Sequence, residues 1–186
     1  MMARTESKML ALGTPAPAFS LPDVVSGKLT SLDTFAGKDV LLVMFICRHC
    51  PYVQHIQNGI AALGRDYRDK SVGVVAISSN DAEAYPDDAP DSLREMANKL
   101  GFTFPYCFDE SQEVARSFNA ASTPEFYVFD RQRRLVYRGQ FDDSRRNSPT
   151  PVTGRDVRNA LDAVLAGKPV SPDQIPSIGC NIKWKA

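Results

Sequence analysis

The sequence predicts an α/β protein with a central mixed β-sheet, helices on both of its faces, an N-terminal β-hairpin and an irregular C-terminal tail. Two continuous apolar runs, 40–46 and 72–77, are typical of strands that are buried on both faces. Apolar residues at helical spacing follow the first run, and a further helix follows the second. A strand-rich hairpin and a closing helix come last. A βαβ unit followed by a hairpin gives a mixed sheet covered by helices.

The first half of the chain supplies the hairpin, one strand and one helix. Residues 18–32 alternate loosely and contain the turn signal Ser26-Gly27, which predicts a short hairpin. The run 40–46 is the first buried strand. The helix after it is indicated by an apolar stripe at spacings of three and four: Val53, Ile56, Ile60 and Leu63.

The middle of the chain contains the second buried strand, 72–77, and then an acidic stretch, 81–91, which we expect to be a solvated loop. A helix should begin at Ser92, because Ser92 and Glu95 form a capping-box pattern. We expect Gly101 to end this helix. Residues 104–108 form a short strand, and a short helix follows.

The last third contains a hairpin and the closing helix. The strand-like runs 125–129 and 135–138 flank a polar turn, which predicts an antiparallel pair. A helix is expected over 153–166. The tail, 168–186, has no clear periodicity, so the whole chain is interpreted as one domain with its core in 13–167.

Composition excludes several classes of protein. The chain of 186 residues is 43% hydrophobic and 24% charged, which is typical of a globular domain. The 22 basic residues are balanced by 22 acidic ones, so no excess positive charge favours nucleic acid. No apolar run is long enough to cross a bilayer, and the N-terminus lacks an apolar segment of secretory length. We therefore expect a cytoplasmic protein without nucleic-acid or membrane partners.

The cysteines point to redox chemistry. Four cysteines in a chain of this length do not make a disulfide scaffold. Cys47 and Cys50 form a CxxC pair where a buried strand gives way to a helix. Residues three apart on a helical turn share one face, so their sulfurs can reach disulfide distance.

The surroundings of Cys47 are expected to stabilise its thiolate. A helix N-terminus presents unpaired N–H groups and the positive end of the macrodipole. Arg48 and a protonated His49 add positive potential. We therefore predict a lowered pKa for Cys47, the attacking thiol, and a less exposed Cys50 as the resolving thiol. A stabilised thiolate also makes the pair more oxidising.

A zinc site and two ordinary core cysteines are the alternatives. A structural zinc site needs a second close pair of ligands, and Cys107 and Cys180 stand apart. Arg and His are rarely buried in a hydrophobic core, so their place between the two cysteines disfavours an ordinary core position for the pair. We therefore expect no metal and no cofactor.

The CxxC and the segment Ser122-Thr123-Pro124 before a strand resemble the thioredoxin-like superfamily. The opening TPAPAFSLPDVVSGKLTSLDTFAGK is similar to its branch of alkyl hydroperoxide reductase and thiol-specific antioxidant proteins. CRHCPYV and SIGCNIKW are similar to one bacterial subgroup of that branch. The resemblance implies a cis Pro124 beside the cysteines and a substrate segment that pairs with the backbone at Thr123 as an added strand.

The sequence departs from that resemblance at two points. Residues 40–56 contain no Asp or Glu to accept the proton of the resolving thiol. His55 and Glu125 are weak candidates for that role. Met44 stands where the peroxidases of the superfamily have Thr, so the peroxide-binding constellation is absent.

The two remaining cysteines are expected to have different roles. Cys107 is predicted to pack as a small hydrophobic side chain. Cys180 is a candidate accessory thiol that exchanges with the Cys47–Cys50 disulfide, although an inert, packed thiol is the more ordinary reading.

The sequence therefore predicts a thiol-disulfide oxidoreductase that acts on a disulfide-containing protein or a small thiol and is recycled by an unidentified reductant. The alternatives are a thiol peroxidase that reduces hydroperoxides and a non-enzymatic metal or thiol carrier.

Overall fold

The structure, a computed structural model, describes residues 4–186, so the first three residues of the predicted domain lie outside it. The strands in chain order are β1 Arg4–Glu6, β2 Ser20–Pro22, β3 Leu29–Ser31, β4 Val40–Phe45, β5 Val72–Ser78, β6 Tyr106–Phe108, β7 Ser122–Thr123, β8 Glu125–Phe129, β9 Leu135–Gly139 and β10 Ile178–Asn181. The helices are α1 Pro51–Tyr67, α2 Pro90–Leu100, α3 Glu113–Ser117 and α4 Arg155–Leu165.

The central sheet has five strands in the order β6-β5-β4-β8-β9. β4 is parallel to β5 and antiparallel to β8, which confirms the mixed sheet. Every residue of β4 is buried, as the continuous apolar run predicts. The strand ends at Phe45, which lies opposite Ile77 on one side and Glu125 on the other. The loop that follows β4 therefore leaves from the middle of the sheet.

The two faces of the sheet carry separate apolar clusters. α1, α2 and α4 pack on one face, where Leu42 and Met44 of β4 point. α3 and the predicted N-terminal hairpin, β2 with β3, cover the other face around Leu41, Val43 and Phe45. Helices lie on both faces, as expected, but three of the four share one face.

The boundaries of α2 differ from the prediction at one end. The helix begins at Pro90 with Ala89 as the N-cap, not at Ser92. Proline suits the first helical position, where its missing N–H costs no hydrogen bond. Gly101 ends the helix in the left-handed region, with φ of 67°, as predicted.

The expectation of an irregular tail is wrong for its last part. Ile178–Asn181 is a strand, β10, that lies between β1 and β7 in a separate antiparallel sheet. Cys180 stands opposite Arg4 on one side and Thr123 on the other. Its pairing partners are far away in the sequence, so no local alternation signals the strand.

Across residues 4–186, none of the helices is both long enough and apolar enough to cross a lipid bilayer.

Candidate active site

The loop after β4 places Cys47 and Cys50 at the start of α1. Cys50 is the N-cap of the helix, and the helix proper begins at Pro51. Cys50, and not Cys47, therefore stands at the positive end of the helix macrodipole. Both cysteines are fully buried, with 0% of their surface exposed.

Thr123 meets the two cysteines, and Pro124 follows it with the cis bond that the resemblance implies. The Thr123–Pro124 peptide bond is cis. The Sγ of Cys47 lies 3.2 Å from the Oγ1 of Thr123. The Sγ of Cys50 lies 3.4 Å from the carbonyl oxygen of Thr123. The end of β7 is thus in contact with both sulfurs.

Cys180 joins this group from the C-terminal tail. Its Sγ lies 2.8 Å from the Sγ of Cys50, and its side chain is almost fully buried. β10 carries it there by pairing with β7 directly at Thr123. The backbone edge that we expected to be open for a substrate strand is therefore occupied by the protein's own tail.

The prediction places the thiolate on Cys47, whereas the contacts in the structure favour it on Cys50. Hydrogen bonds with Cys47 and with Cys180 lower the pKa of Cys50 to about 5. Burial and the hydrogen bond with Cys50 raise the pKa of Cys47 well above its ordinary value. Burial also raises the pKa of Cys180 to about 12. These opposite shifts, together with the start of α1 directly after Cys50, favour the thiolate of the reduced protein on Cys50.

The side chain of Arg48, which the sequence predicts to tune the thiolate, pairs with α2 in the structure. Its Nη1 donates to the carbonyl oxygen of Ser92, 2.8 Å away, and to Oε2 of Glu95, 2.9 Å away. Both contacts direct the guanidinium to α2, and 39% of the side chain is exposed. The positive charge of Arg48 is thus neutralised at the surface by Glu95.

His49 instead faces a buried carboxylate that sequence reasoning missed. Asp88 is fully buried and accepts hydrogen bonds from the backbone N–H groups of Arg48 (2.8 Å) and His49 (3.2 Å). It also accepts from Nδ2 of Asn80, 2.9 Å away, and contacts Nδ1 of His49. The acidic stretch was expected to be solvated, and no local feature distinguishes Asp88 from its exposed neighbour Asp87.

The pair of His49 and Asp88 lies beside Cys47. A ligand atom of each of the three residues lies within 4.8 Å of the others. The hydrogen bond to Asp88 raises the pKa of His49. The buried Nε2 of His49 has no hydrogen-bond partner among residues 4–186, and the ring stacks on that of Tyr85 with centroids 5.3 Å apart. His49 and Asp88 can therefore hold a proton near the sulfurs. An acidic residue in the strand before the CxxC would have that role, but residues 40–56 contain none.

The same three residues are the set that would hold a metal ion. Metal binding needs a deprotonated Cys47, and burial opposes that ionisation. We keep the expectation of no resident metal, which elemental analysis of the purified protein tests.

The two residues first considered for the proton role lie elsewhere. Glu125 alternates with Phe126 along β8 and points to the opposite face of the sheet, where it contacts the hydroxyls of Ser122 and Tyr127. Burial raises its pKa. His55 contacts the hydroxyl of Ser144 at 3.0 Å.

Cys107 packs in the core, as predicted. It belongs to the apolar cluster on the face of the sheet away from Cys47 and Cys50. Burial raises its pKa to about 12. Cys107 is therefore a matched control for experiments on the other three thiols.

We expect Asp88→Asn to lower the pKa of His49. The raised pKa depends first on the hydrogen bond to Asp88, and without the carboxylate the lowering effects of burial and Lys183 are opposed only by the charge of Cys50. NMR titration of the His49 imidazole should give a midpoint above 6.5 in the wild type and a lower one in the variant. Asp87→Asn, which changes an exposed neighbour, is the control and should leave the midpoint in place. An unchanged midpoint in Asp88→Asn would contradict the pairing.

The same pair gives stability a defined pH dependence. The raised pKa of His49 contributes stability that is complete below 6.5 and disappears as the pH rises through the folded pKa. Hydrogen bonds from His49 and Asn80 outweigh burial and lower the pKa of Asp88 below 3.8, so its contribution is lost only in stronger acid. Urea unfolding should therefore separate wild type from Asp88→Asn most clearly between pH 4 and 6.5 and less at higher pH.

A cysteine pair between a central strand and a helix, facing a cis proline in a sheet of this order, defines a redox protein of the thioredoxin-like superfamily. The chain belongs to the Redoxin family, whose model matches residues 11–157. This places it in the branch of alkyl hydroperoxide reductase and thiol-specific antioxidant proteins.

Known relatives agree with this assignment. A solved structure of an uncharacterized conserved protein from Geobacillus kaustophilus is 51% identical, with a TM-score of 0.97, over 100% of this chain and 98% of that one. The thiol-disulfide oxidoreductase ResA of the same species is 25% identical over 68% of this chain and 68% of its own. A Mycobacterium tuberculosis protein provisionally named a peroxiredoxin is 27% identical over 66% of this chain and 73% of its own.

Proposed function

We propose that the protein is a thiol-disulfide oxidoreductase that uses Cys47 and Cys50 through a mixed-disulfide intermediate. The observation that carries this proposal is the contact of both sulfurs with Thr123, in surroundings that lower the pKa of Cys50 and raise that of Cys47. A hydrogen-bonded thiol and thiolate are the reduced half of a redox couple. The named activity of ResA supports the same chemistry.

Cys47 is the sulfur that we assign to the mixed disulfide. Cys50 is already enclosed by Cys47, Cys180 and the carbonyl of Thr123. Cys47 passes its proton to Cys50 along their hydrogen bond and attacks one sulfur of the substrate disulfide. The new bond joins Cys47 to the substrate, and the other substrate sulfur leaves as a thiolate.

Cys50 then completes the reaction. It loses the proton it received, which its low pKa favours, and attacks the sulfur of Cys47. The Cys47–Cys50 disulfide forms, and the two substrate sulfurs leave as thiols after they take up the proton released by Cys50 and one proton from solvent. Two electrons have moved from the protein to the substrate, and an external thiol reductant must return them. The neighbouring His49 and Asp88 can exchange the released proton with solvent.

Burial of both sulfurs favours small substrates. Neither cysteine is exposed, the ring of Tyr85 covers His49, and β10 covers the edge at Thr123. A folded protein would have to displace β10 before its disulfide reached Cys47, whereas a low-molecular-weight disulfide needs a narrower opening. We therefore infer that small disulfides react faster than proteins.

We expect Cys47→Ser to abolish disulfide reduction, because it removes the sulfur that joins the substrate. Reduction of insulin and of oxidised glutathione, each with dithiothreitol as reductant, measures the two substrate classes. The loss should be about a hundredfold or more, as for removal of other enzymic nucleophiles. Cys107→Ser is the control and should retain activity. Full activity in Cys47→Ser would refute the assignment.

A thiol peroxidase is the second candidate, because hydrogen peroxide is small enough to reach buried sulfurs and a relative carries the peroxiredoxin name. One sulfur would take an oxygen atom from the peroxide as sulfenic acid and release water, and the second would condense with it to a disulfide. Catalytic consumption of hydrogen peroxide at a rate above that of disulfide reduction would favour this candidate.

A further inference from the structure

We propose that Cys180 is a third redox thiol, which takes the disulfide over from Cys47 and forms a Cys50–Cys180 bond. The proposal rests on the proposed function, since that supplies the Cys47–Cys50 disulfide. It turns the pair into a three-sulfur relay with Cys50 in the centre.

The distance between the sulfurs carries the proposal. The Sγ atoms of Cys50 and Cys180 are 2.8 Å apart, whereas a disulfide bond is about 2.05 Å long. A displacement of less than about 1 Å would bring them to bonding distance. Both side chains are buried, so they meet in an environment that excludes competing reagents.

The backbone fixes this approach. β10 lies between β1 and β7, so Cys180 is held by strand pairing on both sides. Gly179 allows the strand to come close, because a Cβ there would lie 1.8 Å from the carbonyl oxygen of Thr123. Cys180 is therefore placed against Cys50 by the fold itself.

The exchange between the three cysteines needs no external oxidant or reductant. Cys180 gives up its proton and its sulfur attacks Cys50 in the Cys47–Cys50 disulfide. The Cys50–Cys180 bond forms, the Cys47–Cys50 bond breaks, and Cys47 leaves as a thiolate that takes up one proton. Cys180 is oxidised and Cys47 is reduced to the same extent, so the protein as a whole neither gains nor loses electrons. Lys183 and Arg146 favour ionisation of Cys180, in opposition to its burial.

The product has a distinct reactivity. Cys47 is a free thiol again although the protein is still oxidised. The disulfide now joins Cys50, at the start of α1, to Cys180 in β10. Cys47 can then attack a second disulfide before any reductant arrives. That attack joins Cys47 to one half of the second substrate and releases the other half as a thiolate. The mixed disulfide then persists until an external thiol resolves it, because Cys50 is held in the Cys50–Cys180 bond.

Disulfide mapping tests the relay. Cys47→Ser is oxidised with diamide, quenched in acid, alkylated and digested, and disulfide-linked peptides are identified by mass spectrometry. We expect a Cys50–Cys180 peptide in most molecules, against none in the double variant that also carries Cys180→Ser. Free, alkylated Cys50 and Cys180 in oxidised Cys47→Ser would overturn the proposal. Cys107→Ser with Cys47→Ser is the matched control and should keep the link.

The wild type provides an independent measurement if Cys47→Ser does not fold. The fully oxidised wild type should contain both the Cys47–Cys50 and the Cys50–Cys180 peptides, and the absence of the second refutes the relay. The same map separates the two proposals. A wild type that shows only the Cys47–Cys50 peptide refutes the relay alone, and one that shows neither peptide refutes the proposed function.

Discussion

Reduced Cys50→Ser is expected to carry no thiolate at neutral pH. In the wild type, hydrogen bonds from Cys47 and Cys180 lower the pKa of Cys50 to about 5, so the thiolate is almost fully formed at pH 7. Burial raises the pKa of Cys47 above its ordinary value and that of Cys180 to about 12. With the Cys50 sulfur removed, none of these thiols ionises near neutrality. The predicted effect is the loss of one negative charge from the core of the site.

Thiolate absorbance at 240 nm measures this charge. A pH titration of the reduced wild type should show one ionisation with a midpoint of about 5. Cys50→Ser should show none below pH 9, and Cys107→Ser should match the wild type. If the low ionisation persists in Cys50→Ser and disappears in Cys47→Ser, the charge belongs to Cys47. That result would restore the assignment that the sequence predicts.

The position of the charge also sets the direction of the redox reaction. A thiolate that is stabilised in the reduced form makes the disulfide a better oxidant. The sequence predicts this from Arg48 and His49, but Arg48 is held by Glu95 and His49 by Asp88. In the structure, hydrogen bonds with Cys47 and Cys180 stabilise the Cys50 thiolate instead. We therefore expect a reduction potential less negative than the value of about −270 mV of thioredoxin, and Cys180→Ser should move it toward that value.

Local patterns predict the parts of the fold that local chemistry determines. The continuous apolar run identifies β4, and the stripe that begins at Val53 identifies α1. The CxxC at their junction and the Thr123-Pro124 segment locate the candidate site. In each of these cases the residues that carry the signal are neighbours in the sequence, or belong to a motif of a known family.

The remaining features depend on contacts between distant segments. Asp88 is one of several acidic residues in its loop, and only the fold places it under His49. Cys180 reaches Cys50 across 130 positions of sequence. The identity of the thiolate depends on where α1 begins, and a shift of a few residues decides which cysteine is the N-cap. Sequence reasoning could name these residues but could not bring them together.

Gly179→Ala is expected to detach β10 from β7. An alanine Cβ would lie 1.8 Å from the carbonyl oxygen and 2.5 Å from the carbonyl carbon of Thr123. Neither backbone atom can yield as a flexible side chain would, so the strands must separate. Overpacking of this kind costs about 1–3 kcal/mol, which should lower the midpoint of thermal unfolding by several degrees. Gly37→Ala is the control, because a Cβ at Gly37 meets nothing within 4 Å.

Separation of the strands should change the chemistry as well as the stability. Cys180 would move away from Cys50, so its alkylation at neutral pH should become fast and the pKa of Cys50 should rise as one hydrogen bond is lost. The edge at Thr123 would open, and the rate of insulin reduction should rise relative to the rate of glutathione disulfide reduction. A variant with unchanged stability and a protected Cys180 would show that β10 is not held as described. Faster alkylation without a gain on insulin would show instead that β10 positions Cys180 but does not limit the access of protein substrates.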